Sequence, residues 1–561
     1  QPLTGDSLAL LQGAQARRIR VAGALRSKGY YDGRVTATVA GQPVDEPAAL
    51  DAIEQRPETE TITFTFDVAT GPIYRVVDLA IQGPADIVGY PGLDRKKLTL
   101  EPGKPADAAT IIATEDEILG QVRDRGYALA TVTRREVLID HATREARVTF
   151  TVDSGPTVRM GRVRFSGTEK VDTTYLQKRV PFEEGEIYAP AKVNALRDRL
   201  TSLGVFNSVR IKEAKSLDER GELPIDVEVT DRSPRTIGFG GSYETQRGFA
   251  VNGYWMHRNL FGEAESLKLS AEVNHIGQGT MPQDLGYGVK IDFRKPDWWI
   301  KQQDAVANAA AVNEIFDAYR RKAITLLLGI EQVLSPQWRF KVGVSGEVSE
   351  IQRYGIWGYY SLIGLPAQVI YNRANSDVDP TEGFRVTFNA APYADLTHAG
   401  DLFAILKLVG TAYLNVSGDG RSVLAGRAAF GSIPGGTNAS IPFDKLFYAG
   451  GGGSVRGFAY QSAGPRDVFN NPLGGASLVE ASLEFRQRFG ESWGAVVFVD
   501  AGSAYTDTLP NFSQFAPRLG AGAGVRYYTG FGPARLDVGI PLNKRDGDAP
   551  FGIYVSIGQA F

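Results

Sequence analysis

From about residue 236 to its end the chain is written in period two, with one face apolar and the other charged. Leu267, Leu269, Ala271 and Val273 alternate with Ser266, Lys268, Ser270, Glu272 and Asn274. Phe340, Val342, Val344, Gly346 and Val348 alternate with Arg339, Lys341, Ser345 and Glu347. Leu483, Phe485 and Phe489 alternate with Glu484, Arg486 and Arg488, and Leu536, Val538 and Ile540 with Arg535, Asp537 and Gly539. Successive side chains of a strand point to opposite faces, so each segment predicts a strand whose two sides meet different media. A soluble sandwich alternates too, but its wet face tends toward Thr, Ser and Lys. Charged residues opposite an apolar face favour a membrane-spanning barrel, lipid outside and lumen inside.

No apolar run approaches the ~18 residues of a spanning helix. With a mean hydropathy of -0.17, a helical membrane protein is excluded. A barrel is not, because its strands average to mild hydropathy. Sixteen strands over 236–561 would leave about 20 residues per strand and connection, and each needs only ~9–11 to span. Trp298-Trp299 and Tyr359-Tyr360 are expected at the interfacial girdles. The run Phe551, Ile553, Val555, Ile557 and Phe561 reads as a last strand that pairs with the first. With 61 basic and 64 acidic side chains, nothing points to nucleic acid as a partner. The lack of any Cys fits a periplasmic or outer-membrane place, where stray thiols mispair.

Before residue 235 helical and strand patterns mix and repeat. Gly29, Gly126 and Gly204 each follow a helical pattern, with Leu25, Val122 and Leu200 four positions earlier; a glycine there is the usual left-handed stop. Strands close each unit: Ile62, Phe64, Phe66 and Val68; then Val148, Phe150 and Val152; then Ile225, Val227 and Val229. Gly71-Pro72 and Gly155-Pro156 mark joints. The second and third units open on Val77, Leu79 and Ile81 and on Val163 and Phe165. The order is strand, helices, strand, strand. Gly83 to Gly126 is 43 positions and Gly167 to Gly204 is 37; counting as far back from Gly29 leaves the chain, so the first unit is expected to lack its opening strand. The expected boundaries are 1–72, 73–156 and 157–235 for the repeats and 236–561 for the barrel.

Phe447-Tyr448-Ala449-Gly450-Gly451, running into Ser454-Val455-Arg456-Gly457-Phe458, resembles the inner loop of the outer-membrane assembly superfamily, whose members join POTRA repeats to a 16-stranded antiparallel barrel. His257 to Gly262 resembles that barrel's first hairpin, Asp379-Pro380-Thr381-Glu382-Gly383 its mid-barrel turn, and Phe498-Val499-Asp500-Ala501-Gly502 the strand that meets the loop. Within the superfamily, three repeats resemble the TamA family rather than BamA, which has five. The resemblance implies a Gram-negative outer-membrane protein with its repeats in the periplasm. It implies an insertase for outer-membrane proteins such as autotransporters, partnered by a TamB-like inner-membrane-anchored protein, with outer-membrane lipid around it. Phospholipid transport with the same partner is the alternative; a passive pore is disfavoured because a tucked-in loop blocks the lumen.

The resemblance also sends the loop carrying Val455, Arg456, Gly457 and Phe458 into the barrel, where Arg456 would meet Asp500 and Glu484. Glu484 shares strand parity with Arg486 and Arg488, and Asp500 between Val499 and Ala501 can hardly face lipid. By resemblance again, the first and last strands form a weak lateral seam. The expected seam residues are Gly238, Phe239, Gly240 and Gly241 on one side and Gly552, Gly558 and Phe561 on the other, since glycine weakens strand interiors. The Gly450–Gly453 tract lacks the Lys-Ser or Lys-Thr of a phosphate loop and the strand-to-helix context of a dinucleotide fingerprint. His141, His257, His275 and His398 are scattered without metal spacing. No catalytic residue, metal or cofactor is assigned.

Overall fold

The computed structural model describes residues 6–57, 61–88, 93–245, 247–278, 284–398, 401–436, 440–513, 516–530, 532–559 and 561. Among the described residues, the N-terminal part holds three separate three-stranded sheets. In the second, Glu145–Asp153 is central, parallel to Arg75–Gln82 and antiparallel to Thr131–Asp140. The helix Ala108–Arg123 lies on it. Asp107 caps its start by accepting from the Thr110 amide at 3.0 Å, and Gly126 ends it at a φ of +96°. Ile111, Ile118 and Val122 of the helix pack on Val148, Phe150 and Val152, all buried. The alternation of the closing strand therefore becomes the core face. The opening strand departs from it: a bulge between Val76 and Asp78 buries Val76 and leaves Val77 exposed, correcting the expected Val77 core position.

The third sheet repeats this plan, with Glu222–Asp231 between Arg159–Ser166 and Phe206–Glu213 and the helix Pro190–Thr201 burying Val193, Leu196 and Leu200. The first differs. Arg34–Val39 pairs antiparallel with Phe64–Ala69 and with the two-residue strand Gln42–Pro43. Helix Ser7–Ser27 covers it with Leu11 and Ala14. A second helix, Pro47–Glu54, which the sequence reading did not assign, starts on Pro47 and buries Ala49 and Ile53. Among the described residues no strand lies parallel to Phe64–Ala69.

The remainder is a closed antiparallel barrel from Arg235–Glu244 to Gly552–Ile557. It has sixteen strand positions, one of them split into Ile356–Gly364 and Ala367–Asn372, both paired with Trp338–Arg353. The break falls at Pro366, which has no N–H for the ladder. Side chains sort by parity as the alternation requires. Leu326, Val344, Leu483, Val497, Val499 and Val538 stand on the exposed outer face, and Glu484, Arg486, Asp500 and Asp537 are buried inside. Trp299, 76% exposed, and Tyr359 lie outward. Tyr360 does not: as the next residue of its strand it turns inward and packs near Tyr319 and Tyr448, so the expected Tyr359-Tyr360 girdle reduces to Tyr359.

An Arg at the centre of an outward face should therefore be costly. Leu326→Arg, midway along Arg320–Val333, is expected to destabilise the barrel by ~2–4 kcal/mol in urea titrations in lipid vesicles. No change would put that face on water.

Candidate functional site: the inner loop and the seam

The chain between the strands Ser422–Ser432 and Ser477–Phe489 folds back into the barrel instead of standing away from it. Ile441, Leu446, Phe447, Ala449, Val455 and Phe458 of this loop share one apolar core with Leu478 and Ala504 of the wall. A loop with its own core is held by burial before any ion pair is counted. At its tip the chain turns through Gly457, φ +98°, and lies flat on the sheet. A Cβ on Gly457 would stand 2.6 Å from the Ile540 carbonyl carbon, so only glycine fits.

That close approach delivers Arg456, 2% exposed, onto carboxylates that are fully buried. Its Nε and Nη2 donate to Asp500 Oδ2 and Oδ1 at 2.7 and 2.8 Å, the two-pronged geometry a guanidinium offers and Lys cannot. Nη1 donates to Glu484 Oε1 at 2.6 Å and to Asp537 Oδ2 at 3.3 Å. The Arg456 backbone amide also donates to Asp500 Oδ2 at 3.1 Å. Phe498, inward by the same parity as Asp500, puts its ring 3.4 Å from the guanidinium carbon. Ser482, directly opposite Asp500 in register, donates to Asp500 Oδ1. Arg486 donates to Glu484 Oε2 at 2.9 Å, and Arg526 pairs with Asp537.

A second ionic anchor lies earlier in the loop. Arg321 on the wall reaches Glu314 and Glu347, both at 2.8 Å, and Asp444 of the loop at 3.0 Å. Lys445 of the loop reaches Glu347 at 2.6 Å. Between the two anchors Ser454 donates to Glu480, which also holds Arg427 at 2.9 Å.

The seam is short. Among the described residues, the first and last strands share only the register pairs Tyr243–Val555 and Glu244–Tyr554, whereas the first and second strands share ten. Thr245 adds its amide to the Ile553 carbonyl at 3.2 Å, and its Oγ1 accepts from the Ile553 amide at 2.9 Å. The expected facing of glycines is corrected. Gly238, Gly240 and Gly241 pair with Tyr254, Asn252 and Val251 of the second strand, beyond the reach of the last one. Phe239, 86% exposed, faces outward. Gly552 lies in the last strand opposite Gly539. Gly558, φ +101°, ends that strand and turns the chain inward, its amide donating to the Pro533 carbonyl at 2.7 Å. Phe561 therefore lies off the seam and packs near Tyr413, Val423 and Ala425.

The comparisons with known proteins agree with this architecture. The Omp85 superfamily domain matches residues 259–561, more than half of the chain. The chain belongs to the Omp85 superfamily. A POTRA-type match, described as a surface antigen variable number repeat, covers residues 158–232. The outer membrane protein assembly factor BamA of Nitratidesulfovibrio vulgaris is 24% identical over 91% of this chain and 66% of its own length. That of Neisseria meningitidis is 22% identical over 96% and 71%. The chain thus spans about two thirds of the curated relatives it matches. Haemophilus ducreyi BamA lacking POTRA domains 1–3 superposes with a TM-score of 0.68 at 20% identity, covering 86% of this chain and all of that one. CdiB of Acinetobacter baumannii superposes at 0.53 and 12% identity, covering all of both chains. As an Omp85 protein, the chain sits in the outer membrane with its repeats in the periplasm.

The structure brings Val455, Arg456, Gly457, Phe458, Glu484 and Asp500 to one place, while the seam residues are spread over the first strand, the last strand and the lumen. The sequence reading missed Asp537, Ser482 and Arg526 at the first anchor and Arg321, Asp444 and Lys445 at the second. Parity alone puts Asp537 inside, level with Arg535. Nothing in the sequence pairs Asp444 with a residue 123 positions earlier.

Removing Arg456 would leave the buried Asp500 without its cation and weaken the compensation of Glu484 and Asp537. Arg456→Ala is expected to cost the barrel ~3–5 kcal/mol in urea titrations in vesicles, with Arg456→Lys restoring only part because it lacks the fork. An unchanged midpoint for Arg456→Ala would show that the cluster holds nothing together.

Proposed function

We propose that this protein assembles other β-barrel proteins into the outer membrane through the seam between its first and last strands. The observation that carries the reading is the contrast between two register pairs at the seam and ten on the other side of the same strand. Unpaired backbone groups in hydrocarbon cost several kcal/mol each, so such an edge is completed most favourably by another strand. A client strand would add by augmentation, the main-chain bonds supplying affinity without regard to its sequence. The sheets of the repeats offer the same chemistry on the periplasmic side, where Thr131–Asp140 is an edge strand. Relatives bearing the assembly-factor name support the class of activity. As the finer part of the same proposal, we assign the protein to the TamA branch that its sequence resembles, with autotransporters among its clients and a TamB-like inner-membrane-anchored protein as partner.

The test locks the seam. Directly paired antiparallel residues have Cα atoms ~4.5–5.5 Å apart, within the span of a disulfide, so Tyr243→Cys with Val555→Cys should cross-link without moving the backbone. The chain has no other cysteine. In vesicles, the oxidised variant is expected to lose assembly of a nascent barrel client and the reduced form to regain it. Undiminished assembly by the oxidised form overturns the seam mechanism. Movement of labelled phospholipid in place of client assembly moves the function to lipid transport.

A further inference from the structure

The cluster around Arg456 has more cations than anions. Arg456, Arg486, Arg526 and Arg535 meet Glu484, Asp500 and Asp537, with Glu484 shared by two arginines and Asp537 by three. Arginine carries five N–H donors and no acceptor, and a buried donor left without a partner bears its full desolvation cost. Two of these donors are met by the segment that turns in at Gly558. Arg526 Nε donates to Gln559 Oε1 at 3.1 Å, and Arg486 Nη2 to the Phe561 carbonyl oxygen at 3.2 Å. The Arg486 guanidinium also stands 5.2 Å from the Phe561 ring centre. Gln559 Nε2 donates in turn to Asp379 Oδ1 of the mid-barrel turn at 2.8 Å. The closing strand meets the loop by a second route, since the Tyr554 hydroxyl accepts from the Gly457 amide at 2.9 Å and stands 3.3 Å from the Phe458 carbonyl.

From this we infer that Arg486 and Arg526 are positioning residues that couple the inner loop to the tucked residues Gly558, Gln559 and Phe561, so that release of one loosens the other. Withdrawing Arg456 leaves Asp500 without its cation and takes one cation each from Glu484 and Asp537. Arg486 and Arg526 then turn toward that charge and away from Gln559 and Phe561. Withdrawing the tucked segment uncovers two buried donors, which compete with Arg456 for Glu484 and Asp537. Coupling of this kind acts equally in both directions. The inference rests on the seam reading, because a freed segment is what lets the closing strand leave.

A single label on the loop tests it in the full chain. Gly453→Cys adds a Cβ that meets nothing within 4 Å, in a protein otherwise free of cysteine, and takes a spin label in lipid vesicles. Gln559→Ala with Phe561→Ala, which removes the Gln559 amide from Arg526 and the Phe561 ring from Arg486 and touches no loop residue, is expected to raise the mobile fraction of the loop label about 5-fold or more, the lower end of usual coupling. Arg456→Lys should raise it as well. An unchanged label in the double variant, measured far below the unfolding transition where a merely structural loss would not register, overturns the coupling. If the double variant does not insert as a folded barrel, Gln559→Ala alone is read in the same way, with the same two outcomes. The seam cross-link is scored separately. Loss of client assembly with an uncoupled loop removes only this inference, and a coupled loop with undiminished assembly removes only the seam.

Discussion

A backbone N–H or C=O without a partner costs several kcal/mol in hydrocarbon. That constraint shapes the whole second half of the chain. It makes the sheet close on itself, it sends charge to one side of each strand, and it gives the short seam its meaning. From Arg235 to Ser242 the first strand is fully paired on one side, and among the described residues no strand completes the other. The large side chains there, Ile237 and Phe239, are apolar and outward, so this edge stands at the lipid-facing surface. An edge of this kind is a liability in a resting protein and a template for an incoming strand.

What tolerates such an edge is the interior. The loop is fastened to two sections of wall, through Asp444 and Lys445 to Arg321 and Glu347, and through Arg456 to Asp500, Glu484 and Asp537. Buried ion pairs repay their desolvation only where the geometry is good and the remaining donors and acceptors are met. Here the guanidinium is forked on Asp500, stacked on Phe498 and flanked by Ser482. The apolar core of the loop supplies the stability, and the ion pairs fix where it sits. A barrel braced from within does not need every ladder bond at its seam.

Much of this was legible in the residues because a strand converts parity into sidedness. Alternation placed Glu484 and Asp500 in the lumen, and the resemblance of Val455 to Phe458 to a known loop brought Arg456 to them. The same rule, applied to Tyr359-Tyr360, should have sent one ring inward, and applied to Asp537 should have added a third carboxylate. Register was not legible. Gly238, Gly240 and Gly241 suggested a weak contact with Gly552 and Gly558, yet the seam is weak because the paired stretch ends at Tyr243 and reaches none of the first strand's glycines. The second anchor was hidden for a related reason: Arg320-Arg321-Lys322 reads as a charged strand end, and only the fold brings Asp444 to it. In the first repeat, helix Pro47–Glu54 follows a Pro start signal that the strand pattern around it obscured.

The unpaired edge is the central claim, and amide exchange reads it directly. N–H groups alternate in direction along an antiparallel strand. Because the Thr245 amide points to the last strand, those of Ile237, Phe239 and Gly241 point to the seam, and those of Gly238 and Gly240 to the second strand. Resolved by residue in detergent micelles that let water reach an unpaired edge, Ile237, Phe239 and Gly241 should exchange at least an order of magnitude faster than Gly238 and Gly240, since their opening requires no ladder bond to break. Equal, strong protection at all five would mean that the first and last strands are zipped along their length, and would contradict the account.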